Sequence, residues 1–473
     1  MSVAAGCEDS MGEDNKKQDE LAAKREARRR RRIRNQILAY STVIIFIIAL
    51  AAGVVFTVNL LSKGSAGGNV NKPTQESSEV TDSQTEESSV ASLDESQGSE
   101  SPESSEPEET GPVELTYEQK LDQVVNAAIE VMPLEDKVAG LFVISPELLT
   151  GVTQVTRAGD ITKSALAKYA VGGLLYNSKN IKNKTSFMEM LDNTVLYSKY
   201  PIFLAVEEEG GKTTQIANQN IGSKTDSAKT IGETGDSQKA YLTGITIGNY
   251  LSELGINMNL APVADLANVE NSLMSDRSFG ADAEKVSKFV TSEIKAFREL
   301  GILPCVKHFP GMGSVTTDTS KGIAVSDRTE ADFWANEFVL FQSLIDEKVP
   351  MIMVSNMAAP SLVGDNTPCT LSEKVVTGIL RGELGYDGLV ITDALNEKAI
   401  ADYHSSAEAA ILALRAGCDM ILCPENFEEA YNGVLAAVQD GTISQERIDD
   451  ALRRIYRIKF ADRVEDTTQD ANQ

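Results

Sequence analysis

Gly388-Leu389-Val390-Ile391-Thr392-Asp393-Ala394-Leu395 is an almost unbroken apolar run that carries a carboxylate near its end. A strand buried on one face alternates apolar with polar residues. A strand buried on both faces reads as a continuous apolar run, the mark of a parallel sheet covered by helices. Seven further short runs share this character: Val138–Ser145, Val171–Asn177, Pro201–Glu209, Asn257–Asp265, Leu303–Pro310, Met351–Met357 and Asp419–Asn426. Between them lie amphipathic stretches. Ala283–Leu300 places Val286, Phe289, Val290, Ile294 and Phe297 on one helical face and stops at Gly301, and Asp236–Leu254 stops at Gly255. Eight strands alternating with helices predict an α/β chain folded as a (β/α)8 TIM barrel, with a doubly wound open sheet as the alternative. No G-x-G-x-x-G follows a strand, so no dinucleotide is expected.

The barrel occupies only part of the chain. Of 473 residues, 44 are Lys or Arg and 70 are Asp or Glu, a net charge of −26. That balance argues against nucleic acid, which needs a clustered basic footprint. The charge is unevenly placed. Residues 1–35 hold ten bases against seven acids, net +3, with eight of the bases between Lys24 and Arg34. Ile37–Leu61 is uncharged over 25 residues. As a helix it would rise about 37 Å, enough to cross a hydrocarbon core of roughly 30 Å. Residues 36–61 are therefore expected to form a transmembrane helix. The arginines on its N-terminal side keep 1–35 as a cytoplasmic tail and place the barrel outside the cell, at the plasma membrane. Residues 62–115 carry two lysines and thirteen acids among Ser, Thr, Gly, Pro and Gln. Such a segment cannot bury enough apolar surface to offset its ordering entropy and reads as a disordered acidic stalk. The globular domain is expected over 116–463, with a disordered tail over 464–473. The two histidines, His308 and His404, exclude a His-rich metal site, and no cofactor or metal is called for. Five cysteines in this length do not form a small secreted disulfide framework. Cys305, Cys369, Cys418 and Cys423 read as buried free thiols.

Function in such barrels gathers at the C-terminal ends of the strands. The third run ends in Glu207-Glu208-Glu209-Gly210-Gly211, the fifth in Lys307-His308-Phe309-Pro310-Gly311 and the seventh in Thr392-Asp393, and Arg277-Ser278-Phe279-Gly280 follows the fourth. Carboxylates, cations and one imidazole around a mouth suit a polyhydroxylated ligand, because a carboxylate can hold sugar hydroxyls or attack an anomeric carbon. Gly311–Arg328 shows neither helical nor strand periodicity over 18 residues, and connections of that length in compact domains are usually functional lids or disordered segments.

Lys307–Gly311 resembles the K-H-F-P-G signature of glycoside hydrolase family 3, and the chain is similar to its single-domain bacterial β-N-acetylhexosaminidases. Val206–Lys212 resembles V-D-Q-E-G-G-R, Asn259–Asp265 resembles N-x-A-P-V-x-D, and Arg277–Gly280 matches R-S-F-G. Leu384–Asp393 resembles the L-G-F-x-G-V-V-x-S-D strand that carries the nucleophile, and Ala416–Asp419 resembles A-G-x-D. The motifs are collinear over roughly 120–460. The resemblance implies exo-acting, retaining hydrolysis of a β-linked N-acetylglucosamine or related sugar. Asp393 would attack the anomeric carbon, and Lys307, His308, Arg277 and Glu207 would hold sugar hydroxyls. The implied partner is a carbohydrate such as a cell-wall glycan.

The resemblance breaks at the acid/base. The family pattern K-H-F-P-G-H-G-D-T-x-x-D-S-H ends on a catalytic His. Here Asp318 remains, but Ser320 replaces that His, and Met312 and Ser314 replace two further polar residues. Asn356 stands where the family often has a His, and Gln215 where it has an Arg. A serine hydroxyl cannot deliver a proton at neutral pH as imidazole does, and such help is worth about 10²–10⁴ in rate. Three readings remain open: Asp318 or a nearby carboxylate such as Glu208 supplies the proton, only activated substrates are cleaved, or the barrel binds glycan without turnover.

Overall fold

The computed structural model describes residues 115–464. The predicted cytoplasmic tail, the transmembrane helix, and nearly all of the stalk and of the C-terminal tail lie outside the described residues. Among the described residues no helix is long and apolar enough to cross a membrane.

All eight apolar runs form strands: β1 (Phe142–Ile144), β2 (Gly173–Leu175), β3 (Phe203–Val206), β4 (Met258–Asn259), β5 (Leu303–Pro304), β6 (Val306–Phe309), β7 (Met351–Val354), β8 (Leu389–Ala394) and β9 (Met420–Leu422). Every pairing between them is parallel. The sheet order is β5-β4-β3-β2-β1-β9-β8-β7-β6. A ninth segment arises because Cys305 interrupts the fifth run. Its N–H turns to the Asn259 and Ala261 carbonyls at 3.0 and 2.9 Å. The two ends of the ordered sheet are thus one stretch of chain. Val263 bridges Lys307 in parallel on the same side, so the sheet returns on itself as a barrel and the open-sheet alternative fails.

Burial explains the unbroken apolar runs, since nearly every strand residue is buried. The helix Ala283–Glu299 starts where the Asp282 carboxylate accepts the Lys285 N–H, and it buries Val286, Phe289, Val290, Ile294 and Phe297. Its neighbour Ser237–Leu254 starts at Asp236 and ends at Gly255, whose φ of 94° suits glycine. The two helices lie close together. A Cβ on Gly244 would stand 2.8 Å from the Ala296 Cβ, so a larger residue there would push the pair apart. At the start of the domain Thr116 and Gln119 form a reciprocal capping box on Tyr117–Glu130. Arg457 of the last long helix, Gln445–Phe460, pairs with Glu118 and Asp122 of that first helix. The four cysteines of the described region are free and buried.

Register shifts occur in two places, between Val306 and Phe309 on β6 and between Ile391 and Ala394 on β8. Both lie beside polar strand ends. Such irregularities re-aim side chains next to sites.

Candidate active site

The mouth of the barrel is organised by one backbone clamp. Asn259, at the end of β4, donates through Nδ2 to the Glu208 carbonyl and accepts the Glu208 N–H through Oδ1, both at 2.9 Å. This fixes the three consecutive glutamates after β3, which then take different roles. Glu208 is fully buried. Its carboxylate accepts the N–H groups of Gln215, Ile216 and Ala217 at 2.5, 2.9 and 3.0 Å, the Tyr250 hydroxyl at 2.7 Å, and the Thr214 hydroxyl. With both oxygens committed to protein donors and the side chain buried, Glu208 organises the loop and has no free oxygen to present to a substrate. The sequence expectation that it could replace the missing acid is corrected here.

Glu209 turns to two cations. Lys307 Nζ lies 2.7 Å from its Oε1, and Arg277 reaches it through Nη2 at 2.6 Å and Nε at 2.9 Å. Burial pushes the Glu209 carboxyl up, but Lys307 and Arg277 together outweigh it and bring it down to about 2. Glu207, 38% exposed, accepts a hydrogen bond from Lys307 at 2.6 Å and lies 3.8 Å from Arg277. Lys307 is 1% exposed. Burial would strip its proton, but Glu207 and Glu209 hold it as a cation. Three of the residues picked from sequence, Glu207, Arg277 and Lys307, therefore form one network with Glu209, which sequence reasoning had given no role. Lys212 stands apart, 90% exposed and paired with Asp276 at 2.9 Å.

His308 is buried on β6. Its Nδ1 lies 2.7 Å from Asp265 Oδ2, while Asp265 Oδ1 accepts the N–H groups of Met312 at 2.7 Å and His308 at 3.3 Å. Asp265 thus holds both the ring and the turn after β6, leaving Nε2 as the nitrogen for a ligand. That turn lies close to the loop after β4. A Cβ on Gly313 would be 1.7 Å from the Leu266 carbonyl oxygen, so only glycine fits. Met312 is buried and the Ser314 hydroxyl bonds to that of Ser326 at 2.8 Å. These two replacements are packing and loop residues.

Asp393 sits at the C-terminal end of β8, 9% exposed, and its Oδ1 accepts the Ala394 N–H at 2.8 Å. Asp318 caps the short turn Thr319–Lys321 by accepting the Ser320 N–H at 2.9 Å and the Ser320 hydroxyl at 2.6 Å. The Ser320 hydroxyl bond holds the Asp318 carboxyl below its ordinary range, which works against a role as proton donor. Asn356, at the end of β7, donates to the Ala394 carbonyl at 2.8 Å and to Glu397 Oε2 at 3.0 Å. Burial first, and the Asp393 charge second, push the Glu397 carboxyl well above the ordinary carboxylate range. Glu397 carried no signal in the sequence beyond its place four residues after Asp393.

This arrangement has relatives. Beta-hexosaminidase A of Pseudoalteromonas piscicida is 30% identical over 325 residues, covering 62% of this chain and 54% of that one. The chain thus spans about half the length of that relative. Beta-hexosaminidase LpqI of Mycobacterium tuberculosis is 28% identical over 334 residues, 68% of this chain and 82% of the other. Among solved structures, a glycoside hydrolase family 3 beta-N-acetylglucosaminidase from Paenibacillus sp. str. FPU-7 superimposes with a TM-score of 0.66 at 31% identity, covering 71% of this chain and 63% of its own. The family model for the glycosyl hydrolase family 3 N terminal domain matches residues 120–458, the whole barrel, and the chain belongs to that family.

Proposed function

We propose that this protein is a retaining, exo-acting glycosidase that releases β-linked N-acetylglucosamine or a related sugar from a glycan. Asp393 is the nucleophile, and Lys307, His308, Arg277 and Glu207 hold the sugar hydroxyls. The observation that carries the reading is the placement of Asp393, a buried carboxylate at the end of β8 in a mouth furnished with Lys307, Arg277 and His308. The names of the relatives support the sugar class. In the reaction the Asp393 oxygen would bond to the anomeric carbon as the bond to the leaving alcohol breaks, and water would then release the sugar with net retention.

The uncharged 36–61 segment and its N-terminal arginines support a barrel held outside the plasma membrane on an acidic stalk. Protease treatment of intact cells that releases the barrel would support that placement, and a barrel protected until lysis would overturn it.

Turnover is tested with the full chain in detergent, a nitrophenyl N-acetyl-β-glucosaminide and a natural disaccharide. Hydrolysis abolished by Asp393→Ala is expected. Ser320 in place of the family's histidine favours a second reading, a glycan-binding barrel without turnover. Binding with no hydrolysis, unchanged by Asp393→Asn, would establish it.

A further inference from the structure

The segment after β8 runs through Leu395 and Asn396 to Glu397, which occupies the cap position of the short helix Lys398–Ala401. A carboxylate there would ordinarily accept one of the helix's free N–H groups. Glu397 makes no such bond. Its side chain turns to the Asn356 amide at 3.0 Å and to the Thr319 hydroxyl. Asn356 Nδ2 also holds the Ala394 carbonyl, so a single amide ties Glu397 to the residue next to Asp393. The Lys398–Ala401 helix packs on the Thr319–Lys321 turn. That turn carries Ser320, where the family has its acid/base histidine. Glu397 thus lies between the carboxylate at the end of β8 and the loop from which the usual proton donor is missing.

We propose that Glu397 is the proton donor and acceptor of this barrel, supplied by the loop after β8 in place of the histidine lost at Ser320. The proposal rests on the reading of Asp393 as the nucleophile. In the first step an Asp393 carboxylate oxygen bonds to the anomeric carbon, the bond from that carbon to the leaving oxygen breaks, and the Glu397 proton passes to that oxygen. In the second step water bonds to the anomeric carbon, the ester to Asp393 breaks, and the water proton returns to Glu397. The charge relation between the two carboxyls suits both halves. While Asp393 is ionised, burial and then the Asp393 charge push the Glu397 carboxyl up and favour its protonated form. Once Asp393 is esterified that charge is gone, so the Glu397 carboxylate left by the first step is no longer disfavoured by it and stands ready to take the proton from water. Asp318 and Glu208 lack this behaviour, the first being held low by Ser320 and the second saturated with donors.

The test compares wild type, Glu397→Gln and Glu397→Ala, each as the full chain in detergent, on N,N′-diacetylchitobiose and on a dinitrophenyl N-acetyl-β-glucosaminide. Chitobiose cleavage should fall about 10²–10⁴-fold. Formation of the glycosyl-enzyme from the dinitrophenyl substrate, whose leaving group needs no proton, should be nearly unchanged and appear as a burst. Azide, a nucleophile that needs no base, should restore turnover of Glu397→Ala and yield a glycosyl azide, a readout that only a folded site can give. The alkaline limb of kcat/KM should vanish in Glu397→Gln. Equal losses on both substrates without azide rescue, or wild-type rates on chitobiose, would overturn the assignment. Mass analysis of wild type treated with a 5-fluoro glycosyl fluoride separates the two levels. A label on Asp393 with an unaffected Glu397→Gln defeats this proposal alone, and no label on Asp393 defeats both.

Discussion

Arg277 grips Glu209 with two parallel hydrogen bonds, Nε to Oε2 at 2.9 Å and Nη2 to Oε1 at 2.6 Å, while Lys307 approaches the same carboxylate at 2.7 Å. Two cations share one buried anion, with Glu207 at the rim as the second. Removing Glu209 would leave both cations without their buried carboxylate, with Glu207 at the rim as the carboxylate still in contact with them. Glu209→Gln should cost about 3 kcal/mol or more, as expected when one partner of a buried pair is lost, and urea unfolding measures it. The pH dependence has a definite sign. A carboxyl held at about 2 in the folded protein and near 4.3 unfolded contributes about 3 kcal/mol above pH ~4.3, lost as pH falls toward 2. The stability gap between wild type and Glu209→Gln should close over that acid window.

Glu293 gives the opposite slope. It is buried on the inner face of Ala283–Glu299 and its Oε1 has no hydrogen-bond partner. Burial, and then the Glu209 charge, push its carboxyl up to about 8. A raised acid stabilises the fold fully below the unfolded pKa and loses that contribution as pH rises through the folded one. Glu293→Gln should therefore gain in melting temperature relative to wild type between pH 5 and pH 8. A difference independent of pH would show that the Glu293 carboxyl is already ionised in the folded protein at pH 5.

Glu208→Gln tests the loop beneath the mouth. An amide nitrogen would face N–H donors that now point at a carboxylate oxygen. A loss of about 3 kcal/mol is expected, since unsatisfied buried donors cost about 1–3 kcal/mol each. Chemical denaturation checks it, and an unchanged stability would mean the loop re-pairs elsewhere.

Asp265→Asn should leave the barrel folded but loosen His308. The imidazole would lose a charged partner at 2.7 Å, a contact worth about 1.5–3 kcal/mol. That corresponds to roughly a tenfold to hundredfold fall in kcat/KM on chitobiose, with KM carrying most of it if His308 binds sugar in ground and transition states alike. A fall confined to kcat would instead place His308 at the reacting centre.

The eight strands were legible because two-sided burial leaves each run apolar along its length, a local property of composition. The strand-end motifs were legible for a related reason: Lys307, His308 and Asp393 are polar residues at positions where an apolar strand stops. The division of labour among Glu207, Glu208 and Glu209 was not. Adjacent residues of one type differ only in what they meet, and here one meets Lys307 at the rim, one meets backbone N–H groups, and one meets Arg277 and Lys307 in the interior. Asp265 lay inside a quoted motif without a role, because its partner His308 is 43 residues away.

The sequence by itself determined that buried parallel strands alternate with helices, which polar residues stand at the strand ends, and that Ser320 occupies the place of the family's histidine; the closure of the sheet into a barrel was decided by the fold. Only the tertiary structure decided that Cys305 splits the fifth strand as the barrel closes. It also placed Glu208 as a loop anchor and turned Glu397 away from its own helix toward Asn356. Apolar patterning follows from burial and is written residue by residue. The ionisation and partners of a carboxyl depend on charges and dipoles brought from distant parts of the chain, and those distances exist only once the barrel has closed.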